Sequence, residues 1–150
     1  MKKILVGLLI VLVLIQFFRP KKNISTTPSP NHISAKYNVP ADVQPILDKA
    51  CNDCHSNNTK YPWYNNIQPV AWWLSNHVKE GKSELNFDEF LTYPAKKADH
   101  KMEEVIEMVK EGEMPLNSYT WTHAEARITQ AEKEKLVNWA QDVRRQIVVP

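Results

Sequence analysis

An all-α fold is predicted by three features of this 150-residue chain. Apolar residues recur at three- and four-residue spacing, with little of the alternation that marks strands. Only three glycines are present. The ten prolines fall mostly outside the periodic stretches, as expected for short helices joined by extended loops.

The first element is "MKKILVGLLIVLVLIQFFRPKKN". Two lysines precede an unbroken apolar run from Ile4 to Ile15, and Phe17 and Phe18 extend it. This is the layout of an export signal. No small-x-small cleavage site follows the run, so residues 1–19 read as an uncleaved signal-anchor. Fifteen residues at helical rise span about 22 Å, short of the roughly 30 Å hydrocarbon core. Flanking lysines can snorkel to make up the difference. Residues 20–38 hold three prolines among Ser, Thr and Asn, and read as a linker. One domain is expected over residues 39–150.

Four helices are expected in that domain. Val43, Ile46, Leu47 and Ala50 form the first apolar stripe. Val70, Trp73, Leu74, His77 and Val78 form the second, with Gly81 as its C-terminal stop. Met102, Val105, Ile106 and Val109 form the third, stopped by Gly112. Leu136, Ala140, Val143 and Ile147 form the fourth, introduced by Thr129 and Glu132 in capping-box spacing. Loops are expected at 55–68, 82–98 and 112–128. This is a thin supply of core, which suggests that something besides side chains fills the middle.

Charge is unevenly spread. The formal net charge is +2, but Lys2, Lys3, Arg19, Lys21 and Lys22 stand at the N-terminus without an acid among them. The rest carries 14 basic residues against 17 acidic ones. A basic nucleic-acid-binding face is therefore excluded as an expectation.

Both cysteines lie in "ACNDCHSNNTKYPWY", and Cys51-Asn-Asp-Cys54-His55 has the spacing of c-type haem attachment. In that chemistry each thiol adds across one haem vinyl group. Two intervening residues match the vinyl separation when the segment is about one helical turn, and the next imidazole then lies under the iron. Three alternatives compete. A thioredoxin-like pair would follow a strand, whereas a helix precedes this motif. A zinc site needs four ligands, and only His77 or His100 is available to join the cysteines. A Cys51–Cys54 disulfide would leave His55 without a role.

The sixth iron ligand is expected from Met114 in "EGEMPL", a loop methionine fixed beside Pro115. Met102 and Met108 read as helix packing. His77, on an apolar helix face, is the alternative ligand. His32, His100 and His123 read as surface residues. Trp63, Tyr64, Trp72 and Trp73 are candidate walls of a haem pocket, whereas Trp121 and Trp139 read as ordinary core.

Helix, C-x-x-C-H, loops and helices, Met-Pro and a final helix follow the order of class I cytochromes c, in which first and last helices pack across each other. In detail, "VPADVQPILDKACNDCHSNNTKYPWYNNIQPVAWWLSNHVKEGKSELNFDEF", "EGEMPLNSYT" and "HAEARITQAEKEKLVNWA" resemble the small bacterial haem-binding-domain family with a single haem motif. The resemblance implies one covalent haem c with its iron, an exported or membrane-tethered location, and electron transfer or an accessory role.

The expectation is thus a cytochrome c-like helical domain around one haem, behind an N-terminal anchor and on the periplasmic side of a membrane. It would exchange electrons with redox partner proteins and act as a carrier, not an enzyme. The alternative is a sensor or peroxidase-like protein with an open or displaceable sixth position. Such an enzyme needs distal acid–base groups, and the domain's arginines, Arg127, Arg144 and Arg145, stand far from Met114 in sequence.

Overall fold

The computed structural model describes residues 1–148. The last two residues of the expected domain lie outside that range. Among the described residues the chain is all-α, with seven helices joined by four 3-10 turns and a lone antiparallel bridge between Ile24 and Asn58.

The N-terminal apolar run forms α1 (Lys2–Ile15), with no buried residue along it. Among the described residues no helix is long and apolar enough to cross a membrane by itself. The exit of α1 is fastened to the domain. Gln68 donates its backbone N–H to Gln16 Oε1 (2.9 Å), and Gln16 Nε2 donates back to the carbonyl of Gln68 (3.2 Å).

Residues 20–38, the expected linker, make contacts with the domain. The Asn23 side chain bonds to the domain, and one apolar residue, Ile33, is buried in the core. Asn23 Nδ2 donates to the carbonyl of Ser56 (2.9 Å) and to Thr59 Oγ1 (3.0 Å). Ile33 is 0% exposed, packed with Tyr37 and Phe90.

Helix α2 (Gln44–Ala50) buries Ile46 and Leu47 and accommodates Pro45 in its first turn. The one-turn helix α3 (Asn52–His55) follows at once. Helix α4 covers Val70–Glu84 and runs through Gly81, which is not the expected stop. A Cβ there would lie 2.9 Å from the Cys54 carbonyl oxygen and 3.0 Å from Cys54 Cβ. The glycine lets α3 and α4 touch.

Helix α5 (Ala95–Glu111) buries Ala98, Met102, Ile106 and Val109. Gly112 ends it at φ 79°, the left-handed conformation that a glycine cap adopts without a Cβ clash. Helix α6 (Asn117–Thr120) lies within the third expected loop. Helix α7 (Gln130–Gln146) opens with the expected Thr129–Glu132 capping box and buries Leu136, Val137, Trp139, Ala140 and Val143.

The main helix pair is α5 against α7, where the cytochrome order led us to expect first against last. Arg144 of α7 joins it from outside, bridging Asp99 (2.8 Å) and Glu103 (3.1 Å) of α5. Helix α2 is tied to the start of α7 by Lys49–Glu132 (2.7 Å). Trp139 is core as expected, its Nε1–H donating to the Asn38 carbonyl (3.1 Å). Trp121 is not core: it is 78% exposed just beyond α6, a helix too short to bury it.

Candidate functional site

Cys51 closes α2 and opens α3. The amides of Cys54 and His55 both donate to its carbonyl, at 3.1 and 3.0 Å. The motif is therefore a single turn, as its spacing predicts. Its polar neighbours anchor that turn. Asp53 accepts from the Lys60 amide (2.9 Å) and from the Tyr119 hydroxyl (2.7 Å). The Asn57 amide donates to Asp88 (2.6 Å), and Asn86 Nδ2 donates to Asn57 Oδ1 (2.9 Å).

His55 is held by α4. Its Nδ1 lies 2.9 Å from the carbonyl of Leu85, the residue that closes that helix. A carbonyl only accepts, so Nδ1 carries the proton and Nε2 keeps its lone pair. Phe87 meets the imidazole edge-on, with ring centroids 6.5 Å apart. Burial pulls the imidazole pKa below its ordinary value, against the opposing pull of the Leu85 carbonyl.

The ring borders a largely apolar cavity of about 250 Å³, partly open to solvent. Leu47, Ala50, Cys51, Leu85, Val105, Val109 and Leu136 form its walls, and Glu84 and Glu104 also line it. Met114 lines it too, together with Met108. The loop after Gly112 folds back over the end of α5. The amides of Glu113 and Met114 both donate to the Met108 carbonyl, at 2.9 and 3.2 Å.

Met108 is the residue that sequence reasoning missed. Val105, Met108 and Val109 share i, i+3, i+4 spacing, so the stripe was visible. What the stripe faces was not. The Leu85 carbonyl left no signal at all, because any residue supplies one.

Cys54 stands elsewhere. It lines a second, narrow cleft of about 40 Å³ with Trp73, His77, Tyr119 and His123. Both thiols are free. Burial, and then the neighbouring Cys54, pushes the Cys51 thiol up to about 12. Burial, and then the Asp53 carboxylate, pushes Cys54 up to about 11. Burial, and then Asp53, likewise drives the Tyr119 phenol far above its usual range.

The alternative ligand His77 borders this second cleft, not the cavity of His55. Its Nδ1 bonds the Trp73 carbonyl one turn back (2.9 Å). The four aromatic candidates also stand apart from the His55 cavity. Trp72 and Trp73 lie in the first turn of α4, and Trp73 borders the cleft of Cys54 instead. Trp63 is 75% exposed, and the Tyr64 hydroxyl pairs with His123 Nε2 (3.3 Å). His100 interacts with Glu103 and Glu104 on the surface. Among the described residues no group of three His, Cys, Asp or Glu is arranged to hold a bare metal ion.

A family model described as a haem-binding domain matches residues 10–142, from within α1 to within α7. The chain belongs to the haem-binding domain family. No curated protein and no solved structure matches it.

The cavity of this haem-binding domain suits such a group. It offers a neutral imidazole with a free lone pair, two thioethers and apolar walls. Cys51 shares the cavity directly, while Cys54 borders the adjoining cleft.

Proposed function

We propose that this haem-binding domain is a membrane-tethered monohaem c-type cytochrome that carries electrons. One observation carries the reading most: His55 is fixed through Nδ1 to the Leu85 carbonyl, beside the cavity that Met114 lines. Nε2 of His55 and the Met114 thioether would hold the haem iron. Cys51 and Cys54 would hold the haem covalently through thioether bonds. When bound, the haem supplies a one-electron couple at its iron.

The protein's own residues set the conditions for that couple. The Leu85 carbonyl orients the His55 ring and raises its basicity. Leu47, Val105, Val109 and Leu136 exclude water from the faces of the site. A thioether ligand favours the reduced state relative to a second imidazole. The cavity lining has neither arginine nor a second histidine, which favours a carrier over a peroxidase-like enzyme. Helix α1 tethers the domain on the periplasmic side, where redox partner proteins exchange electrons with it.

Acid–organic extraction tests the attachment: haem should remain with the polypeptide, and its full release into the organic layer would overturn the reading. Absorption spectra test the ligation. The oxidised protein should be low-spin with the weak red band of sulfur-ligated ferric haem, and Met114→Ala should abolish that band. Loss of the band in Met108→Ala alone would assign the ligand to α5 instead.

A further inference from the structure

We propose that the exit of α1 and the adjoining face of α4 form a surface that seats in the headgroup layer of an anionic lipid bilayer. The proposal extends the tethering role given to α1, and it rests on observations outside the haem site.

Helix α1 has 14 residues, about 21 Å at helical rise, against a hydrocarbon core of about 30 Å. Something beyond it must meet the shortfall. Phe17 and Phe18 are 79% and 69% exposed, and continue the apolar surface past the helix. The domain does not hang from this point on a slack tether. The Phe18 carbonyl accepts from the indole Nε1–H of Trp72 and from Gln68 Nε2, both at 2.8 Å. The start of α4 is thereby held at the level where the apolar segment ends.

Exposed apolar residues gather there. Ile67, Trp72 and Trp73 are all exposed around Gln68, which is itself 1% exposed. An indole has an apolar body and one N–H, the combination that settles at a membrane–water boundary. Trp72, Ser75, Lys79 and Lys82 continue along one stripe of α4, at i, i+3, i+7 and i+10. Lys79 and Lys82 face a groove shared with Lys21 and Lys22 of the segment leaving α1, and its lining holds no carboxylate. Lys82 Nζ bonds Asn23 Oδ1 (2.6 Å), and Lys22 Nζ stands 5.3 Å from the Tyr61 ring centroid. Four lysines without an acid, on a domain otherwise slightly acidic, complement anionic headgroups. The order along this face is apolar helix, aromatic rim, cationic groove. That is the order of the layers in a bilayer leaflet.

The test reconstitutes the full haem-loaded chain into phosphatidylcholine vesicles containing a photoactivatable diazirine lipid, with and without phosphatidylglycerol, and maps the labelled peptides by mass spectrometry. With phosphatidylglycerol, label should enter both residues 4–18 and residues 61–79. Without it, label in 61–79 should fall several-fold while label in 4–18 is unchanged. Replacing Lys21, Lys22, Lys79 and Lys82 together by Gln should have the same effect as removing the anionic lipid. Label confined to 4–18 overturns the docking face and leaves the tether standing. Label in 61–79 alone supports the face and overturns the tether, and label in neither overturns both.

Discussion

His55 and Leu85 are joined by a 2.9 Å hydrogen bond from the ring Nδ1 to the main-chain carbonyl, which fixes the tautomer and leaves Nε2 as the ligating nitrogen. His55→Ala should therefore remove the low-spin spectrum. Millimolar imidazole should restore a six-coordinate form by entering the vacated space. An unchanged His55→Ala spectrum would show that the iron takes its ligand elsewhere.

Gly81 decides how closely the motif turn meets α4. In an unconstrained helix, Gly→Ala stabilises by about 1 kcal/mol. Here the new methyl would meet Cys54 backbone at 2.9 Å. Gly81→Ala should instead destabilise by about 1–3 kcal/mol, read as a lower denaturant midpoint. A raised midpoint would mean that α3 and α4 are not in contact at this point.

The Arg144 guanidinium, hydrogen-bonded to Asp99, holds that carboxyl below its ordinary value of 3.8. A lowered folded-state pKa gives stability that is fully present above the unfolded value and lost as pH falls through the folded one. The pair is partly exposed, so solvent screening limits it to about 1 kcal/mol. Arg144→Ala should lose that much at pH 7, and its stability gap from the natural protein should narrow below about pH 3.8. A gap that stays constant down to pH 2 would rule out this ion pair as its source.

Gln68 is the buried clasp between the exit of α1 and α4. Its side chain donates to the Phe18 carbonyl, and its Oε1 accepts from the Trp72 amide at 3.3 Å. Gln68→Ala should speed amide hydrogen exchange in residues 14–18 and 70–73 without altering the haem spectrum. Unchanged exchange would mean that other contacts suffice to hold the two segments together.

The sequence by itself determined the all-α class and the longer helices. Apolar residues at helical spacing mark α2, α5 and α7 because a helix must bury one stripe, and Gly112 and Thr129 mark ends because caps demand particular side chains. Cys51, Cys54 and His55 stand out because the attachment proposed for them would constrain residue type and spacing within a single turn, and they do form one. The tertiary structure decided what those stripes face. Met108 and Val105 read alike as packing, yet both line the cavity, because the direction of a helix face is set by its partners. Gly81 reads as a stop, and only the approach of Cys54 shows why a glycine stands mid-helix. The aromatic residues read as pocket wall together, but the fold parts them: Trp73 borders the Cys54 cleft, whereas Trp63 is exposed and Tyr64 pairs with His123. Residues 20–38 read as linker from composition, but composition does not record that Asn23 and Ile33 find partners on the domain. Long-range contacts depend on which surfaces meet, and local sequence carries no direct mark of that.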